Sequence, residues 1–133
     1  MGMANTNLSR KMMDFSERRA GIENCTTADD IAYILDKIYH QELINNDISK
    51  KCLGLLKLQK IKDRIPAKLP PDTVVAHKTG LERGICHDAG IVFTDKGNFL
   101  ICVLTRHKNK TSRLAKKFIA QISFLTYKYS QGF

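Results

Sequence analysis

The segment Val74–Gly80 constrains the fold of this chain more than any other. It begins with three apolar residues and ends in the sequence His-Lys-Thr-Gly. Three prolines within Ile65–Asp72 exclude a helix or a central strand there, so a strand has to begin after them. We predict a strand over Thr73–Lys78 that ends in the Lys-Thr-Gly sequence.

Two further strand patterns follow. Asp88–Thr94 and Asn98–Thr105 are rich in apolar, β-branched and aromatic residues, which favour strands. Asp95–Asn98 between them contains Gly97, which can adopt the positive φ of a tight turn. The two strands are therefore predicted to form an antiparallel hairpin.

Three helices flank these strands. Thr26 or Thr27 caps a helix that runs to about Tyr39, and a second helix covers Ile48–Gln59. A third helix, Ser112–Tyr129, carries a stripe of apolar residues that we expect to cover the sheet. The stripe consists of Leu114, Phe118, Ile122, Leu125 and Tyr129. The fold class is therefore α+β: a three-stranded antiparallel sheet with N-terminal helices and a long C-terminal helix packed on it.

The composition restricts the possible binding partners of the chain more than it restricts its fold. The net charge of +9 suits polyanions, but no nucleic-acid-binding motif accompanies it, and we expect a solvated basic surface with no nucleic-acid partner. No apolar run approaches the roughly 20 residues of a bilayer span. The N-terminus lacks a secretory signal pattern, and the localisation stays open. The four scattered cysteines are expected to be free thiols, and the single Cys-His pair is too little for zinc, so we predict no metal and no cofactor.

Short sequences along the chain occur in a characteristic order. They are Leu8–Asp14, Thr26–Asp30, Asp63–Pro66, Ala76–Gly80 and His87–Val92. Lys-Thr-Gly is one of three motifs shared by class A β-lactamases and penicillin-binding proteins. From about Asn5 to Tyr129 the chain resembles the C-terminal half of this serine hydrolase family, which is usually secreted or cell-surface. The resemblance implies a single partial domain over 1–133, with an Ω-loop-like segment (1–25), a helical part (26–72), and the sheet with the last helix (73–133).

The resemblance also implies roles for four consecutive residues. Lys78 would be catalytic and substrate-binding, a fixed cation beside the nucleophile and towards the substrate carboxylate. Thr79 would donate its hydroxyl to that carboxylate, and Gly80 would let the substrate pass close to the strand. The backbone N–H of Leu81 would be one of two oxyanion-hole donors. The ligand implied is a β-lactam or a cell-wall peptide.

The chain departs from the family pattern at the nucleophile. None of its serines is followed three residues later by Lys, and no Ser-x-Asn is present. Asn5 stands where the deacylating enzymes carry a general-base Glu, and Asn cannot act as a base. We therefore expect the C-terminal portion of a β-lactam hydrolase of the acyl-enzyme type, inactive alone and completed by an N-terminal half. Two alternatives stay open: a non-catalytic module that binds a carboxylate or a cell-wall ligand, and a basic nucleic-acid-binding domain.

Overall fold

The computed structural model describes residues 2–133, which contain four α-helices and one three-stranded antiparallel sheet. The helices are α1 (Phe15–Arg19), α2 (Ala28–Tyr39), α3 (Asn46–Lys57) and α4 (Arg113–Ser130). The strands are β1 (Val75–Glu82), β2 (Ile85–Val92) and β3 (Phe99–Arg106). This arrangement confirms the predicted α+β class, with helices before the sheet and a long helix after it. Among the helices of the described residues, none combines the length and apolar character needed to span a bilayer.

Side-chain caps fix the starts of the first helices. The Thr27 side chain accepts a hydrogen bond from the Asp30 N–H at 3.2 Å, which confirms the predicted start of α2. The Asn45 side chain accepts from the Ile48 N–H at 2.9 Å. Because Asn45 is the cap, α3 begins two residues earlier than predicted.

Two short helical turns were not expected from the sequence. Asp14 caps α1 by accepting hydrogen bonds from two backbone N–H groups, within a segment that looked irregular. A 3-10 helix covers Ile65–Lys68, where the prolines had excluded a helix. Pro66 is tolerated there because it lies in the first turn, where its missing N–H would have no helical partner.

The first hairpin differs from the predicted strand ends. β1 continues through the Lys-Thr-Gly sequence to Glu82, and β2 already begins at Ile85. Gly84, with a φ of 75°, makes the turn between them. The glycine that ends the strand is therefore Gly84 and not Gly80. The second turn confirms its prediction, with Gly97 at a φ of 128°.

Helices cover both faces of the sheet. On the α4 face, the core comprises Ile65, Leu69, Val75, Cys86, Val92, Ile101, Ala115 and Ile119. On the α2/α3 face, a smaller core comprises Leu35, Ala89 and Ile91. Successive residues of each strand alternate between these two faces. The two neighbours of any site residue on β1 therefore lie in different environments.

The prediction for the sheet-covering side of α4 is wrong. The residues that α4 buries are Ala115, Ile119, Ala120 and Ser123. Four of the five predicted residues are exposed: Leu114, Phe118, Leu125 and Tyr129. We call these four the exposed stripe. Small residues let the helix approach the sheet and the 3-10 helix closely, so residue size alone pointed to the wrong side.

Candidate active site

The free edge of β1 exposes backbone groups of the Lys-Thr-Gly region. β1 is an outer strand because the sheet order is β1-β2-β3. The Phe93 N–H donates to the Val74 carbonyl at 3.0 Å, and in an antiparallel ladder such hydrogen-bonded pairs recur at every second residue. In this register the backbone groups of Lys78 face β2. Those of Thr79 and Leu81 therefore point outward from the sheet.

The Lys78 side chain lies beside this free edge. Lys78 is exposed, and its Nζ donates to the outward-pointing Thr79 carbonyl at 2.6 Å. Within residues 2–133, no carboxylate lies within 4.0 Å of that Nζ. The edge of β1 thus carries an ammonium group that no acidic side chain of the described residues neutralises.

The side chains next to Lys78 lie on the opposite face of β1. His77 is 2% exposed and Thr79 is 8% exposed, both on the α4 face. The Thr79 hydroxyl is therefore separated from the ammonium group, whereas the Thr79 carbonyl contacts it. Of the predicted site groups, the structure gathers the Lys78 ammonium and the Leu81 N–H at one edge and leaves the Thr79 hydroxyl behind the sheet.

Gly80 leaves the α2/α3 face of β1 without a side chain at its position. A Cβ at this position would lie 3.4 Å from the Cβ and 3.6 Å from the Cδ2 of His87. An alanine would fit in contact with the imidazole, and a larger side chain would cover it. Gly80 thus leaves space beside Lys78 for a group that approaches the backbone.

A buried polar network lies on the α4 face. Asp88 is fully buried, and its carboxylate accepts from the Ile65 N–H at 3.0 Å and lies 2.9 Å from His77 Nδ1. Arg64, 1% exposed, donates through Nε to Cys86 Sγ at 3.2 Å. These bonds join β1, β2 and the 3-10 helix, and they hold β1 at the residue before Lys78. No sequence prediction covered this network, and its only signal in the sequence is an Asp inside an apolar strand pattern.

The N-terminal segment is a surface loop whose ends are held together. Asn7 and Cys25 exchange backbone hydrogen bonds of 2.9 and 3.0 Å. The Asn5 N–H and the Thr6 hydroxyl both donate to the Asp30 carboxylate, at 2.9 and 2.7 Å. The first turn of α2 therefore anchors the residue that occupies the predicted general-base position.

A metal centre is not formed by these residues. Within residues 2–133, no group of three or more His, Cys, Asp or Glu side chains is placed to hold a metal ion. All four cysteines are free thiols, and only Cys25 is exposed.

Comparison with known proteins identifies the family. The sequence model of the β-lactamase enzyme family matches residues 1–130. The chain belongs to the β-lactamase enzyme family. This confirms the resemblance that the short sequences indicated, and it places the Lys-Thr-Gly strand in the context of that family.

Individual relatives agree with this assignment. β-Lactamase VEB-1 from Pseudomonas aeruginosa is 32% identical over 74 residues, which are 50% of this chain and 25% of that protein. The crystal structure of TLA-1 extended-spectrum β-lactamase is 28% identical with a TM-score of 0.79, and the match covers 96% of this chain and 50% of that one.

Two further structures share the fold at lower identity. A β-lactamase from Sphaerobacter thermophilus DSM 20745 gives a TM-score of 0.86 at 24% identity, covering 98% of this chain and 49% of its own. PBP-A gives a TM-score of 0.85 at 22% identity, covering 99% and 48%. The chain therefore spans about half the length of the solved family members it matches.

Proposed function

We propose that this chain, a single partial domain over 1–133, is the C-terminal portion of a serine β-lactam hydrolase that works through an acyl-enzyme. In that reaction a serine attacks the lactam carbonyl, and water then hydrolyses the ester. The observation that carries the proposal is the free edge of β1. It presents the Lys78 ammonium and the outward Leu81 N–H at the same edge of the sheet.

Each group at this edge suits one part of the reaction. The Lys78 ammonium attracts the substrate carboxylate and stabilises negative charge near the nucleophile. The Leu81 N–H has no partner in the ladder, as an oxyanion-hole donor requires. Gly80 leaves room for the substrate backbone. The Thr79 hydroxyl lies on the α4 face, so in this proposal it meets the substrate carboxylate only around the edge of β1.

The nucleophile in this proposal comes from a complementing N-terminal half. Three features support the packing of a second polypeptide against this chain. The exposed stripe of α4 offers four large apolar side chains, β3 is an outer strand, and the Lys78 side of β1 is open. A half-length partner that carries Ser-x-x-Lys and Ser-x-Asn would cover apolar surface and supply the attacking hydroxyl.

The test measures turnover and covalent mass gain. The isolated chain is expected not to hydrolyse a chromogenic cephalosporin. Addition of a polypeptide with Ser-x-x-Lys and Ser-x-Asn should give a benzylpenicillin adduct, detected by intact-protein mass spectrometry. Lys78→Ala should abolish the adduct, whereas Lys96→Ala, at the far hairpin turn, should not. Turnover by the isolated chain, or equal adduct formation by Lys78→Ala, would refute the proposal.

Asn5 determines the rate of deacylation that we expect of the completed domain. Because an amide cannot take the proton of the attacking water, acylation should be followed by slow deacylation. The adduct should therefore persist, and Asn5→Glu should shorten its lifetime.

A non-catalytic carboxylate-binding module is the second candidate, favoured by the unpaired Lys78 ammonium beside an open strand. It predicts benzylpenicillin or cell-wall peptide binding to the isolated chain without mass gain, and loss of that binding in Lys78→Ala. A basic nucleic-acid-binding domain would instead bind single-stranded DNA or RNA with an affinity that falls steeply with salt.

A further inference from the structure

A cleft lies just beyond the C-terminal end of β1, next to the half of the strand that carries Lys78 and Leu81. It has a volume of about 1010 Å³ between the N-terminal loop, the β1–β2 turn and the end of β3. Lys78 does not line it, and Arg83 lies five residues further along the chain. The basic and imidazole side chains that line it include Arg83, His87, Arg106, His107 and Lys108. The volume is of the size that small-molecule sites have.

The charge around this cleft is strongly positive. For Arg83, Arg106 and Lys108, no carboxylate of residues 2–133 lies within 4.0 Å. Glu23 also lines the cleft, but Arg10 at 2.8 Å and Arg18 at 3.0 Å already neutralise it. Three cations are thus left without an anion.

Arg18 also lines the cleft, but its charge is paired with carboxylates and is not counted among the three free cations. Besides Glu23, its guanidinium contacts the Glu82 carboxylate at 2.6 Å. This ion pair ties the N-terminal loop to the end of β1. The loop therefore forms a wall of the cleft that the sheet holds in place.

The His107 imidazole has no partner in the described part of the chain. Both of its ring nitrogens are buried, and neither makes a hydrogen bond. A buried polar group without a partner costs about 1–3 kcal/mol and calls for an explanation such as a ligand. His107 lines the cleft, and rotation of its ring about the Cβ–Cγ bond would turn a nitrogen towards a bound anion.

His87 offers a neutral donor to the same cleft. Its Nδ1 accepts from the Thr105 N–H at 3.0 Å, so the proton of the neutral ring is on Nε2. Burial lowers the pKa of His87, with the Arg64 guanidinium adding to the effect. The ring therefore stays neutral and keeps its Nε2–H as a donor.

We propose that this cleft binds a phosphate monoester, with the phosphate group between Arg83, Arg106 and Lys108 and in contact with the His107 imidazole. Guanidinium groups bind phosphate oxygens in bidentate fashion, and a phosphate dianion matches three unpaired cations better than a single carboxylate does. The remaining volume accommodates the organic part of the ester. The proposal does not depend on β-lactam chemistry, because Lys78 and the edge of β1 take no part in it.

Phenyl phosphate is the probe, and the full chain labelled with nitrogen-15 is the sample. Titration should give saturable shifts of the His107 and His87 imidazole resonances. Inorganic phosphate should bind at the same place and more weakly, because it lacks the organic group, and benzoate should bind at least tenfold more weakly than phenyl phosphate.

Arg106→Gln and Lys108→Gln change exposed side chains, so both variants are expected to fold. Each should weaken phenyl phosphate about tenfold, as expected for the loss of one charge-assisted contact. Lys96→Gln removes the same charge at the distant hairpin turn and should change the affinity less than twofold. His107→Phe should remove the contact while circular dichroism reports an intact fold.

Three results would overturn the proposal. One is the absence of saturable shifts at His107 and His87. Another is equal binding of benzoate and phenyl phosphate, which would exclude phosphate as the ligand class. The third is an affinity loss in Lys96→Gln as large as in Arg106→Gln, which would show that net charge and not the cleft attracts the anion.

Discussion

Around Lys78, the two faces of β1 differ in how completely this chain covers them. On the α4 face, His77 and Thr79 are buried, and a polar network with Asp88 lies among the apolar residues of the core. On the α2/α3 face, Lys78 between them is exposed. Around Lys78 the chain therefore covers the α4 face of β1 and leaves the α2/α3 face open. This contrast is what the proposed function needs, because a nucleophile supplied from outside has to reach Lys78.

The largest effect should come from the buried network of the α4 face. Asp88→Ala removes the acceptor of the Ile65 N–H and the partner of His77, and it leaves both buried groups without a partner. We expect the free energy of unfolding to fall by about 2–6 kcal/mol, because each buried group without a partner costs about 1–3 kcal/mol, and urea denaturation measures this loss. Asp95→Ala, in the exposed turn, should stay within about 0.5 kcal/mol. Similar losses in both variants would show that the network does not hold the closed face.

The next effect separates the two sides of α4. Ile119 is fully buried, and its neighbour Phe118 belongs to the exposed stripe. Ile119→Ala should cost about 2–5 kcal/mol of unfolding free energy, whereas Phe118→Ala should change it by less than about 0.5 kcal/mol. The reverse order would mean that the stripe predicted from the sequence is the one that packs on the sheet.

A pair of glycine substitutions should have effects of opposite sign. A Cβ at Gly90 would lie 2.4 Å from His77 Cβ and 2.5 Å from the Ala76 carbonyl oxygen. Gly90→Ala is expected to destabilise the chain by about 1–3 kcal/mol. Nothing lies within 4 Å of a Cβ at Gly54 in α3, so Gly54→Ala should stabilise it by about 0.5–1 kcal/mol. Thermal unfolding measures both, and a stable Gly90→Ala variant would contradict the tight β1–β2 packing.

The last prediction concerns a thiol on the α2/α3 face. Burial, with added repulsion from Asp88 and Asp29, raises the pKa of Cys102 to about 11. In the unfolded chain the thiol ionises near its ordinary pKa of about 8.5. Between these values the native state binds the extra proton, so stability should fall as the pH rises through this window.

The same thiol gives a direct chemical test. At about pH 9, iodoacetamide should modify the exposed Cys25 well before Cys102, as followed by peptide mass spectrometry. Equal rates would show that α2 and α3 do not shield this part of the sheet.

Local signals in the sequence predicted the elements better than their contacts. The Thr27 cap and Gly97 each act within a few residues, and the elements they define are present in the structure. The side of α4 that packs depends on which neighbour it meets. The prediction assigned four large apolar residues to the packed side of α4 and not Ala115 and Ala120, although the small residues are the ones that allow close packing.

The predicted site shows the same difference between local sequence signals and contacts made by the fold. The Lys-Thr-Gly sequence, together with the other short sequences in their order, was sufficient to indicate the family and the strand of the predicted site. Lys78 and the Thr79 hydroxyl were expected to meet the same carboxylate, although strand alternation puts their side chains on opposite faces. The continuation of β1 to Glu82 was missed because Gly80 looked like a strand end. The basic cleft could not be predicted, since the fold brings its residues together from three separate parts of the chain.

The uncovered side of β3 has a practical consequence for handling this protein. In the ladder register, the backbone groups of Leu100, Cys102 and Leu104 point away from β2, and Arg106 is the only charge in the strand, which has no proline. Such a border is a template for pairing with another copy. We expect concentrated preparations to precipitate through intermolecular sheets, and co-production with the complementing half to raise the soluble yield.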